Sequence, residues 1–191
     1  KRNLNSSEFL EMKINWLIKN QRVEDLENLL STNSVVGKET KAIRFLVDEY
    51  LSSANIKSAC EKTNFISKDL KNDYLDKFKI YCLINNDRKE EAQLVFDLAR
   101  ERGLKDNFFE KKINTILGIS ESSKDEKILD NNLLNFYLSY ITIDNFKYEP
   151  TDKTNPYIWR YLSAANLIQV NDFEDEKIIL SYEQAAAQDS F

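Results

Sequence analysis

Between Tyr74 and Gly103 the apolar residues fall into two short sets at helical spacing, divided by a polar break. Tyr74, Leu75, Phe78, Tyr81 and Cys82 share one helical face, and Ala92, Val95, Phe96 and Ala99 share another. Asn85, Asn86 and Asp87 interrupt the pattern. Asp87 with Glu90 three residues on has the form of a capping box, and Gly103 offers a left-handed stop. The stretch predicts a helical hairpin.

The same alternation runs through the rest of the chain. Asn5 and Glu8 can cap a helix carrying Phe9, Leu10, Met12, Ile14, Trp16, Leu17 and Ile18; after a break at Asn20 to Arg22, Val23, Leu26, Leu29 and Leu30 predict a second helix, ending in a loop from Thr32 to Gly37. Leu17 to Glu24 and Leu83 to Glu90 are similar stretches 66 residues apart, and Tyr50 to Lys57, midway, is again a helix end followed by a polar break. The implied period is 33 residues. A hairpin of that length has too little core alone and buries its faces on its neighbours. On this register hairpins run from Ser7 to Thr32, Lys38 to Asn64, Ser67 to Arg102 and from Asn107 onward.

The fourth unit is irregular. Gly118, Ser120, Ser122 and Ser123 predict a loop, and Ser123 with Glu126 a capping box that starts a helix from Asp125 to Ile143. A polar connection over residues 144–154 carries Phe146 and Tyr148. Asn155-Pro156 then reads as an N-cap with proline at the first helical position. A last helix is expected through Ile178, Ile179, Tyr182, Ala185 and Ala186. The expectation is an all-α protein without β-sheet: an α–α superhelix of about five stacked hairpins, with residues 1–143 as the array, 144–154 as a loop and 155–191 as a closing hairpin.

Composition sharpens this picture. Three glycines and two prolines in 191 residues leave little material for the tight turns of a sheet protein. Lysines alternate with acids, and the net charge is −5, so no basic stripe exists for a phosphate backbone and nucleic acid is not an expected partner. No apolar run reaches the length of a bilayer span. The sequence starts at Lys1 with neither an initiator methionine nor a hydrophobic leader, which leaves open a targeting segment ahead of it. Histidine is absent and cysteine occurs twice, removing the commonest general base and any thiolate metal cluster. No catalytic, cofactor or metal residues are expected.

Ala92, Phe96 and Ala99 match the small–aromatic–small signature in the second helix of a tetratricopeptide repeat, and the period is close to that family's length. The chain resembles a tetratricopeptide-like α-solenoid in the broad sense. Cys60, Cys82 and the helix from Glu90 to Arg102 also resemble small secreted helical-repeat proteins of bacteria, in which cysteines of successive hairpins pair.

Two features bear on function. Cys60 and Cys82 fall on neighbouring helices of the repeat register, as either a bridge or two free thiols in a core; a bridge would close a loop of about twenty residues, stabilise by roughly 3 kcal/mol and place the protein in a periplasmic or secreted setting, free thiols in the cytoplasm. Stacked hairpins present a concave surface to a peptide or helix, which makes the leading expectation a non-enzymatic module binding another protein, with Arg44, Lys77 and Lys79 lining the groove. Phe146 and Tyr148, in a loop, are the expected surface pair among the aromatics of the C-terminal third. The alternatives are the helical scaffold of a larger bacterial cell-envelope enzyme and a structural subunit of a large complex. Adjacent carboxylates such as Asp48 with Glu49 are expected on solvated faces, as are the helix-start acids Asp172, Glu174, Asp175 and Glu176.

Overall fold

In a computed structural model, residues 5–32, 39–67, 70–121 and 127–168 are described. The loop expected from Thr32 to Gly37 lies largely outside them, and so do the Ser123–Glu126 capping box, the acidic stretch from Asp172 to Glu176 and the last predicted helix. The described residues are helical with no strand: α1 (Ser6–Lys19), α2 (Val23–Thr32), α3 (Thr40–Ser52), α4 (Ile56–Glu61) running into a 3-10 turn (Lys62–Phe65), α5 (Asp73–Asn85), α6 (Lys89–Glu101), α7 (Asn107–Ile116), α8 (Leu133–Thr142) and α9 (Pro156–Ala164).

Side-chain acceptors start most of these helices. The Asn5–Glu8 box forms in both directions, and Asn55, Asn72, Asp106 and Asn132 each accept the backbone N–H three residues on. Asn155 caps α9 with Pro156 at its first turn, as expected. The box expected at Asp87 does not form. Arg88 occupies the N-cap of α6 without a side-chain cap, and instead grips Glu91 through Nε (2.7 Å) and a second guanidinium nitrogen. Asp87 itself adopts a left-handed conformation, φ 57°.

That conformation belongs to a stop used repeatedly. At the end of α5, Arg88 N–H donates to Leu83 O (2.8 Å) and Asp87 N–H to Ile84 O (3.0 Å), a Schellman motif that satisfies the last carbonyls. The ends of α1 and α3 carry the same pair of bonds around Gln21 (φ 50°) and Ala54 (φ 56°). Gln21, Ala54 and Asp87 stand 33 residues apart, the interval read from the apolar pattern. The helices α2, α4 and α6 that follow begin at Val23, Ile56 and Lys89, with that same spacing.

Beyond α6 the interval is lost. The helix expected from Asp125 begins only at Leu133, and Lys127 to Asp130 are non-helical. Local hydrogen bonds favour this late start: Asn131 Oδ1 accepts from Asn135 Nδ2 (2.9 Å), Asn132 caps the helix, and Leu129 N–H donates to Ser139 Oγ (3.2 Å). The chain then turns back. Helix α8 packs on α7 and α3, and α9 packs on α3 and α8, so the N-terminal hairpins and the C-terminal helices share one hydrophobic core.

Candidate interaction surface

Cys60 on α4 and Cys82 on α5 are joined by a disulfide, with Cα atoms 5.4 Å apart and both residues buried. The bond ties the second arm of one hairpin to the first arm of the next, 22 residues along the chain.

Two of the three cations expected along a groove are paired with acids of the same chain. Arg44 approaches Asp48 at 3.5 Å and lies over the Tyr74 ring, 4.3 Å from its centre. Lys77 Nζ donates to Asp106 Oδ2 at 2.5 Å. Burial pushes the Asp106 carboxyl up, but the bonds from Lys77 and from Phe109 N–H outweigh it and hold the group below its ordinary value. Lys79 is half-buried, in the field of Asp76 and Glu91.

The aromatic pair of the loop turns inward. Phe146 packs edge-on to Phe136 (5.6 Å between ring centres) and Tyr140 (5.4 Å); Tyr148 packs on Phe136 (4.9 Å) and donates its hydroxyl to Asp130 Oδ2 (2.7 Å). Tyr137 and Tyr161 extend the cluster, and the Tyr137 hydroxyl meets that of Tyr81 at 2.6 Å, joining α8 to α5. Edge-to-face geometry, worth about 1 kcal/mol a pair beyond burial, holds the two loop aromatics half-buried against the core.

Asp48 and Glu49, expected in solvent, are each only 7% exposed. Asp48 accepts from the Tyr74 hydroxyl, and Glu49 from Arg160 Nη1 (2.5 Å), so adjacent residues of α3 find partners on α5 and on α9. Burial pushes the Asp48 carboxyl up to about 6, only partly offset by the bonds from Tyr74 and Arg44. Tyr74 is itself raised well above its ordinary value by burial and by the Asp48 charge. The Glu49 side of α3 is therefore covered by the chain's own α9.

A surface that the sequence pattern did not single out lies on α1. Its apolar residues divide between two sides: Ile14 and Leu17 are buried, whereas Phe9 (58% exposed), Met12 (50%) and Trp16 (55%) line the other side at one-face spacing. A second, smaller apolar strip on α6 is formed by Leu94 (59%) and Leu98 (45%), on the side away from the buried Ala92, Phe96 and Ala99. The signal was present as an excess: α1 carries more large apolar residues than one buried stripe can use.

No protein family, curated protein or solved structure matches this chain. Among the described residues, no helix is long and apolar enough to cross a membrane.

Proposed function

We propose that the chain is a non-enzymatic protein-binding or assembly module in which α1 to α6 stack as a short tetratricopeptide-like solenoid and the exposed side of α1 receives a partner helix. The observation that carries this reading is the strip of Phe9, Met12 and Trp16, each about half exposed and in line on one helix. Contiguous apolar surface of this kind marks interaction sites, and aromatic residues dominate their energetics. Arg44 and Lys77 are paired with acids of the same chain, which favours α1 over the inner face as the partner surface. The buried Cys60–Cys82 bond supports residence in an oxidising compartment.

The test is a photo-crosslinking residue placed at Met12, with one at Asn107 as a control. Adducts at Met12 that vanish in the Phe9→Ala/Trp16→Ala variant, with its circular dichroism unchanged, are expected. Equal adducts at both positions, or adducts indifferent to the double substitution, would remove the basis for the reading.

A further inference from the structure

The outward face of α6 carries a single row of side chains. Glu90, Leu94, Asp97, Leu98 and Glu101 stand at i, i+4, i+7, i+8 and i+11, opposite the buried Ala92, Phe96 and Ala99, and all five are exposed. At 1.5 Å per residue the row runs about 16 Å along the helix axis, roughly three turns. Its leucines are not what the repeated hairpin asks for. One and two 33-residue intervals back, Leu94 corresponds to Glu61 and Asn28, and Leu98 to Phe65 and Thr32; Glu61, Asn28 and Thr32 are polar and exposed. Of the three second arms, α6 alone sets two large apolar side chains in succession on this side.

The charge beside the leucines is of one sign. The basic residues of α6 and its caps are each drawn to an acid: Arg88 to Glu91, Lys89 to Asp87 (3.8 Å), Arg100 to Glu110 and Arg102 to Asp76 (2.6 Å). Glu91 also lies in the field of Lys79 on α5. Among the described residues no cation pairs with Glu90, Asp97 or Glu101, and Asp97 accepts from the neutral amide of Gln93 (2.9 Å). Like charges four residues apart, as Asp97 and Glu101 are, work against a helix. The row is therefore an apolar strip with an acidic margin whose charge is not relieved by the described part of the chain.

We propose that this face docks a basic amphipathic helix of another protein, its apolar residues seated on Leu94 and Leu98 and its lysines or arginines along the Glu90, Asp97 and Glu101 side. The acids select the partner and the leucines anchor it. This second docking face is independent of α1 and uses neither Phe9 nor Trp16. It buries less than the ~1,200 Å² of a stable interface, so binding is weak and falls with added salt.

The probe is a synthetic, dye-labelled peptide helix with leucines on one face and lysines flanking them, titrated with the oxidised full chain and followed by fluorescence anisotropy. Two companion peptides carry glutamate for every lysine or serine for every leucine. The lysine–leucine peptide should bind, and each companion should bind about tenfold more weakly or worse. Two variants of the chain, Leu94→Ser/Leu98→Ser and Glu90→Gln/Asp97→Asn/Glu101→Gln, should each lose about tenfold in affinity, and the second should also lose most of the salt dependence. A control, Glu11→Gln/Glu61→Gln/Glu149→Gln, removes the same charge from other exposed positions and should stay within about twofold of the wild type. All the substituted residues are exposed, and circular dichroism checks that each variant folds. A control that falls as far as the α6 triple variant would reduce the binding to net charge and overturn the proposal. Equal binding of the serine peptide, or no binding of the lysine–leucine peptide, would overturn it as well. So would affinity unchanged in both α6 variants but lost in Phe9→Ala/Trp16→Ala, a result that leaves the reading of α1 standing.

Discussion

The Asp48 carboxylate gives the sharpest test of the energetics. Its folded value of about 6 lies above the ordinary 3.8, so the folded protein holds this proton more tightly than the unfolded chain does. Stability from this group is therefore fully present below about pH 4 and is lost as pH rises through about 6; at about 1.4 kcal/mol per pH unit, the loss is about 3 kcal/mol. Asp48→Asn keeps an acceptor for the Tyr74 hydroxyl and cannot ionise, so it imitates the protonated wild type. The variant should match the wild type near pH 4 and exceed it by about 3 kcal/mol at pH 7, even though the substitution removes a residue with an arginine partner. Asp76 is also raised by burial and Asp106 is lowered, but both are common to the two proteins and cancel in the difference. Urea unfolding of both proteins at several values across this range measures it. A wild-type-minus-variant difference that stays constant with pH, or that favours the wild type more as pH rises, would refute the assignment of the shift to burial.

Three further outcomes are expected. Reducing the Cys60–Cys82 bond, or replacing both cysteines with serine, should lower stability by about 3 kcal/mol, read as a fall in the urea midpoint. Arg160→Ala leaves the buried Glu49 with less compensation and should cost about 3 kcal/mol; hydrogen exchange should show the loss concentrated in α9 and the facing turns of α3, with Glu49→Gln in the same background restoring protection. Ala54→Gly should stabilise by about 1 kcal/mol, because the left-handed stop of α3 then carries no β-carbon, and thermal unfolding is sufficient to see it.

Much of the fold was legible because its determinants are local. The Asn5–Glu8 box and the Asn155-Pro156 start each depend on residues within a few positions of one another, and both are present. Asp87 shows how local readings compete. An acid three residues before a glutamate fits an N-cap, but aspartate also tolerates the left-handed stop, and the end of α5 claimed it. The burial that the sequence did not announce depends on distant partners. Nothing near Glu49 in sequence announces Arg160, 111 positions away, and nothing near Phe146 announces that it will pack half-buried against Phe136 and Tyr140. The exposed side of α1 is the converse case: its residues look like core, and none of the other described elements covers them.

The return of α9 onto α3 sets an order of events during synthesis. Arg160 leaves the ribosome more than a hundred residues after the carboxylate it neutralises, so a nascent chain with its first three hairpins complete still has Glu49 without this partner. Contacts this remote in sequence slow folding. Maturation of the N-terminal half is thus timed by the arrival of its C-terminal third.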